Sequence, residues 1–251
     1  IRPVASTANV IVDGGFVGLD EFDTDGIEPL PSTERNMELL ASFQPEVLVV
    51  NEFVLGELGR DVLEALADEI VVVPDGDAAT QVTALGDAFD RRAEADALVT
   101  ELEAARDEGR GTLAPLPESE RVISVLTIYS GPTLAAWFDG PVAVPATLID
   151  LGFTLRPDAV AVAGAPSGPT GGRAYLSEEE IGLFDAPTIV MLQSEHVEGE
   201  ADAIETISAS ALWQLLPAVE ADRTITVDRL GYPGIAGQIR LVEDLVRELG
   251  G

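Results

Sequence analysis

The stretch from Arg91 to Gly109, RRAEADALVTELEAARDEG, constrains the fold of this chain more than any other. Ala95, Leu98, Leu102 and Ala105 recur at intervals of three and four, which lines them along one face of an α-helix. Arg, Glu, Ala and Leu are strong helix formers, and no Pro or internal Gly breaks the run. At the usual rise such a helix is roughly 28 Å long, about the width of a small domain. Gly109, Gly111, Pro115 and Pro117 are expected to stop it. On either side the chain alternates strand-like and helix-like runs. The expected organisation is therefore an N-terminal lobe over residues 1–90, a connecting helix over 91–112 and a C-terminal lobe over 113–251.

The flanking runs read as α/β. Short apolar, β-branched runs predict strands at Val10–Val12, Val47–Val50, Ile70–Val73, Val122–Tyr129, Ile189–Leu192 and Ile225–Asp228, with a short strand or turn at Ala159–Ala163. Between them lie predicted helices. One is capped by Asn36, carries Met37, Leu40 and Phe43, and is ended by Pro45. Others cover Leu58–Ala67, Asp77–Phe89, Ala146–Leu151 (stopped by Gly152), a segment capped by Ser177, Ala201–Leu216 and Gln238–Leu249. Gly164 to Arg173 is too rich in Gly and Pro to be regular. Strands alternating with helices imply two Rossmann-like lobes with mostly parallel sheets, joined by the long helix. One internal echo supports two variants of one lobe. NMELLASFQPEVLVV (Asn36 to Val50) and SEEEIGLFDAPTIVM (Ser177 to Met191) align without a gap, setting Asn36 on Ser177, Glu38 on Glu179 and Phe43 on Phe184.

Composition excludes several classes. With 251 residues, 46% of them hydrophobic, the chain can bury a substantial core. No apolar run reaches the roughly 18 residues that a membrane-spanning helix needs. A formal net charge of −31 makes nucleic acid and anionic membrane surfaces poor partners, because phosphate binding needs clustered cations. All fourteen basic residues are Arg, a pattern of a high-GC or salt-adapted source. The lack of Cys removes disulfides, thiolate catalysis and Cys-ligated zinc. His196, expected in an exposed loop, is the only histidine, which argues against zinc or manganese capture and against a Ser-His triad. No phosphate loop, dinucleotide fingerprint or nucleophile elbow is present. Paired carboxylates are too common in so acidic a chain to indicate catalysis. No intrinsic cofactor is expected. No signal peptide is visible at Ile1, where a mature or trimmed chain is expected to begin.

The order of segments resembles the ABC-transporter substrate-binding proteins for iron siderophores, haem or vitamin B12. NMELLASFQPEVLVV resembles that family's Asn-Leu-Glu…Lys-Pro-Asp-Leu-Ile segment, and LIDLGFTLRP (Leu148 to Pro157) its Leu-Leu-x-x-Leu-Gly-x-x-x-x-Pro stretch. YLSEEEIGLFDAPTIVM resembles its Ser-x-Glu-x-Leu helix and strand, and LWQLLPAVEADRTITVD (Leu212 to Asp228) its Leu-Trp-x-x-Leu-Pro-Ala-Val…Val-x-x-Val-Asp segment. Family members usually carry a further strand and helix before the segment resembling Arg2-Pro3-Val4, so the first lobe is expected to lack them.

The resemblance implies a ligand in the crevice between the lobes, at the carboxyl ends of the strands. Loops to search are Thr33-Glu34-Arg35, Asn51-Glu52-Phe53, Tyr129-Ser130, Trp137-Phe138, Arg173, Gln193 to Glu195 and Arg229 to Tyr232. A ferric siderophore offers an apolar rim to aromatic side chains and oxygen atoms to Arg. Phe53, Tyr129, Trp137, Arg173, Arg229 and Tyr232 are the candidate ligand-binding residues. Each has an alternative: Tyr129 and Trp137 as core packing, Arg173 and Arg229 as surface ion pairs. Trp213 fits a packing role better. The resemblance further implies docking on the importer's permease through one Glu per lobe, here Glu38 and Glu179; the alternative is two first-turn acids favoured by the helix dipole. The expected function is an extracytoplasmic, periplasmic or cell-surface binding protein that delivers a ferric siderophore to an ABC importer. It is expected to be a monomer, with a lipid anchor, if it has one, outside the given chain. Haem or cobalamin is the alternative ligand, and an α/β enzyme with an acidic cleft site the alternative of another class.

Overall fold

The computed structural model describes residues 2–8, 10–19, 22–32, 36–131, 133–139, 142–164 and 171–250. The loop Thr33 to Arg35 and the middle of the Gly/Pro-rich loop, 165–170, lie outside the described residues. The chain forms two compact units, Ile1–Glu101 with Pro233–Ile235, and Leu102–Tyr232 with Ala236–Gly251.

The first unit is built from short elements. Its strands are β1 (Ala5–Ala8), β2 (Ile11–Val12), β3 (Gly15–Phe16), β4 (Glu28–Pro31), β5 (Val47–Asn51) and β6 (Glu69–Val73). The helices are α1 (Met37–Ser42), α2 (Glu52–Leu58), α3 (Arg60–Glu64) and α4 (Ala78–Ala88), and α5 (Arg92–Leu113) leaves it. β1 pairs with β4 and β5 with β6, both in parallel, while β2 and β3 form a hairpin. Side-chain caps start the helices: Asn36 accepts from the Leu39 N–H at 2.9 Å, Asn51 from Val54 at 2.8 Å and Asp77 from Thr80 at 2.8 Å. The Asn51 cap corrects the single helix predicted over Leu58–Ala67. α2 starts immediately after β5, and Gly59, at φ 80°, breaks the chain into α2 and α3.

α5 spans 22 residues and runs past the predicted stop, through Gly109 and Gly111. Ala95, Leu102 and Leu113 are buried on one face, while Arg92 and Asp96 pair at 2.8 Å on the other. Gly109 belongs to the buried face. A Cβ there would lie 2.8 Å from Leu151 Cδ2 and 2.9 Å from Val246 Cγ2, so this glycine serves close packing and does not end the helix.

The second unit contains β7 (Val122–Tyr129), β8 (Thr133–Trp137), α6 (Ala143–Asp150), β9 (Thr154–Arg156), β10 (Arg173–Leu176), β11 (Thr188–Gln193), α7 (Glu200–Ser208), α8 (Pro217–Glu220), β12 (Thr224–Asp228) and α9 (Gly234–Leu249). Its sheet has the order β10-β8-β7-β11-β12, with β9 beside the first half of β7. β7, β9, β11 and β12 run parallel; at one edge β8 is added antiparallel to β7, and β10 antiparallel to β8. Those two strands take in Trp137 and Arg173, which the sequence suggested were in loops; Ala159–Ala163 is a turn. Leu126, Ile128, Leu134, Ala136, Ala174 and Leu176 alternate onto one face of this edge and pack with Ile181, Phe184 and Trp213. Trp213 is thus a core residue.

The internal echo survives folding. Phe43 and Phe184 are both C-cap residues, and the strand begins at the same distance from the cap in both copies, Asn36 to Val47 and Ser177 to Thr188. The second copy is wound as a 3₁₀-helix, Glu178–Leu183, and its Ser177 forms a capping box with Glu180.

Candidate functional site

Strand register assembles most of the candidates in the second unit. Residues paired directly across a sheet share a face. Trp137 on β8 is paired with Val125 on β7 and Arg173 on β10; Ala135 is paired with Thr127 and Tyr175; Thr133 is paired with Tyr129. The face opposite the apolar core therefore carries Trp137, Arg173, Tyr175 and Tyr129 around the small Ala135.

On that face the Arg173 guanidinium carbon lies 5.1 Å from the Trp137 ring centre and 5.2 Å from that of Tyr175. These are cation–π distances, each contributing about 0.5–2 kcal/mol according to solvent access. Arg173 Nη1 also donates to the Tyr129 hydroxyl at 3.4 Å, and the Tyr129 and Tyr175 rings lie 6.1 Å apart. Trp137 is 4% exposed, and its indole N–H donates to Thr127 Oγ1 at 3.0 Å, so the ring is fixed as one wall of the cluster. Arg173, Tyr129 and Tyr175 are half-buried. A fork of N–H donors set among π faces can hold planar oxygen acceptors and apolar linkers together.

Arg229 follows β12, where its backbone N–H bonds the Gln193 carbonyl at 2.9 Å. Its guanidinium lies 5.9 Å from the Tyr129 ring centre and donates to Glu200. Tyr129 and Arg229 thus meet at the carboxyl ends of two parallel strands, where α/β sheets place ligands. Tyr232 is held elsewhere: its hydroxyl donates to Asp244 on α9 at 2.8 Å, with Arg240 5.9 Å from its ring centre. Burial, and then that hydrogen bond, push its phenol up to about 12, so it remains a donor committed to Asp244 at neutral pH. Gly237 lets the backbone of Tyr232 lie against α9, for a Cβ there would fall 2.3 Å from the Tyr232 carbonyl carbon.

Phe53 belongs to the first unit. It is 66% exposed at the head of α2 and lines a groove of about 460 Å³ together with Leu30, Leu39, Leu48, Val50 and Val54. That groove is mainly apolar. Glu38 and Glu179 are exposed at equivalent positions of the two echoing helices. His196 departs from its expected exposure; it is half-buried in the turn before α7, 3.6 Å from Glu195.

Sequence reasoning missed two members of the cluster. Tyr175 carried a usable signal, since Arg173 and Tyr175 are two apart in RAYL while Ala174 and Leu176 alternate to the core face. Glu200 carried none. Its side chain is 1% exposed, and its carboxylate accepts from the Ser194 N–H at 2.9 Å as well as from Arg229. Only the fold brings the start of α7 against the end of β12.

No family model and no curated protein matches the sequence. Solved structures do match across almost the whole chain. Staphylococcus aureus SirA complexed with staphyloferrin B has a TM-score of 0.77 at 17% identity, covering 99% of this chain and 86% of that one. S. aureus FhuD2 with bound ferrioxamine B gives 0.74 at 17%, covering 98% and 90%. The triscatecholate siderophore binding protein FeuA from Bacillus subtilis, complexed with ferri-bacillibactin, gives 0.74 at 18%, covering 99% and 85%. At such identities the likeness is one of architecture: the chain has the two-lobed α/β fold of the siderophore-binding proteins.

Proposed function

We propose that this protein is an extracytoplasmic solute-binding protein that captures a ferric siderophore and delivers it to an ABC importer. The observation that carries the reading is Arg173, held among Trp137, Tyr175 and Tyr129 on the sheet face opposite the core. In a chain with this fold, that cluster combines oxygen-directed donors with aromatic surface, as a ferric chelate requires. Arg229 and Tyr129 extend it to the strand ends, and Phe53 is the candidate contact of the first unit. Among the described residues no helix is long and apolar enough to cross a membrane. Delivery would rest on a permease partner, whose docking we assign to Glu38 and Glu179. The protein acts as a monomer that binds and releases its ligand unchanged.

Tryptophan emission tests this reading. Trp137 lines the cluster and Trp213 lies in the core on the opposite face of the sheet. A ferric siderophore added at sub-micromolar levels should quench the emission, and Trp137→Phe should remove most of that quench. Haem would instead shift its Soret band. If no ferric siderophore quenches, the proposed function is wrong.

A further inference from the structure

We infer that Glu200 sets the charge of the ligand this site accepts, and that the ligand is a ferric chelate of low net charge, of the tris-hydroxamate type. The inference rests on the siderophore reading above and sharpens it.

Two arginines reach the cluster, but their surroundings differ. Arg229 is matched by Glu200, a carboxylate withdrawn from water and fixed by the Ser194 N–H at 2.9 Å. A buried carboxylate must be paired, and a buried pair has no net charge to offer an incoming ion. Arg229 therefore contributes a stacked, charge-neutral surface beside Tyr129. Arg173 meets two π faces and a phenol, and among the described residues it has no carboxylate partner. Among the described residues of this unit, the site thus holds one uncompensated cation. Of the other arginines of this unit, Arg106, Arg110, Arg156, Arg223 and Arg247 each lie against an acid. Arg121 is bound to the Leu113, Ala114 and Leu116 carbonyls near the start of β7, and Arg240 to the Gly231 carbonyl and the Tyr232 ring.

A ferric tris-hydroxamate core is neutral, because three anionic ligands balance the ferric ion. Its rim oxygens accept hydrogen bonds from a guanidinium, and its linkers suit aromatic faces. A ferric tris-catecholate is trianionic. It would meet one free cation in a protein whose formal charge is −31, and the field at long range opposes it as well.

The test is a titration of the full chain with ferrioxamine and, separately, a ferric tris-catecholate, in the wild type, Glu200→Gln and the double variant Glu200→Gln/Arg229→Leu. The wild type should bind the hydroxamate at least about tenfold more tightly, the effect of roughly one unmatched charge at the dielectric of a protein surface. Glu200→Gln keeps an acceptor for Ser194 but frees the charge on Arg229, so it should narrow that preference about tenfold by tightening the catecholate. The double variant, weaker for both, should return to the wild-type preference. A merely structural Glu200 would weaken both chelates alike and leave the ratio unchanged, which overturns its assigned role. A wild type that prefers the catecholate overturns the ligand class while the siderophore reading stands. If neither chelate nor any other ferric siderophore binds, that reading itself falls. Should Glu200→Gln fail to fold, the double variant still tests the pair: a hydroxamate preference wider than that of the wild type would show Arg229 acting as a free cation and overturn the role of Glu200.

Discussion

Arg173 is the residue on which most of the site depends, and its chemistry cannot be supplied by charge alone. Its planar guanidinium stacks against Trp137 and Tyr175 while one edge faces Tyr129. An ammonium is a compact point charge that reproduces neither the stacking nor the fork of donors. Arg173→Lys should therefore weaken siderophore binding about tenfold or more, comparable with the loss of one charge-assisted hydrogen bond of about 1.5–3 kcal/mol. Its thermal unfolding midpoint should fall by no more than several degrees, because Arg173 is half-buried and outside the apolar core, and the stacking it loses is worth a few kcal/mol at most. Unchanged affinity, by the same quenching titration, would remove Arg173 from the site. At this scale residue type sufficed to pick out Tyr129, Trp137, Arg173 and Arg229, which the strands bring into mutual contact. Tyr232, picked out on the same ground, already gives its hydroxyl to Asp244. Glu200 was hidden for a different reason: in a chain so rich in acids, one buried carboxylate looks like the rest until the fold withdraws it from water.

Among elements, strands written as apolar, β-branched runs were readable, and β8 and β10 were not. β7 matches its predicted limits, Val122–Tyr129, because a largely apolar, β-branched run is buried from Ile123 to Ile128. β8 and β10 are short, contain small residues and follow Gly- and Pro-rich stretches, so local pattern favoured loops; pairing of β8 with β7, and of β10 with β8, makes them strands. These are the two strands that bring Trp137 and Arg173 together, which is why the candidates were nominated one by one and not as a cluster. α5 gives the opposite lesson, for glycine read as a stop proves to be a packing contact. In an open helix, replacing Gly by Ala stabilises by about 0.5–1 kcal/mol. Gly111 has nothing within 4 Å of its would-be Cβ, so Gly111→Ala should show that gain. At Gly109 the added methyl meets Leu151 and Val246, and overpacking of about 1–3 kcal/mol should outweigh the propensity gain. Urea unfolding of the two variants should thus move the midpoint in opposite directions. If Gly109→Ala is as stabilising as Gly111→Ala, the packing account of the helix is wrong.

The whole molecule returns to the internal echo. The two copies preserve cap, C-cap and strand start, so the fold repeats a helix-and-strand module in its two units. Glu38 and Glu179 occupy the same exposed second position in the two modules. Each is favoured there by the helix dipole, an effect of about 0.3–1 kcal/mol, so stability alone accounts for an acid at either place. A docking role requires more, namely that both acids act together on a partner and neither acts on the ligand. The double reversal Glu38→Arg/Glu179→Arg separates the two accounts. Its cost in stability should stay near the sum of two such dipole effects, within about 2 kcal/mol. Siderophore affinity should change less than about twofold, because neither residue belongs to the Arg173 cluster, and additivity holds for sites with no shared contacts. Uptake of radiolabelled ferric siderophore by cells expressing the cognate permease should nevertheless fall about tenfold or more, as two attractive contacts become repulsive. Normal uptake with the folded double variant would show that these acids serve the helices and that the permease engages the protein elsewhere.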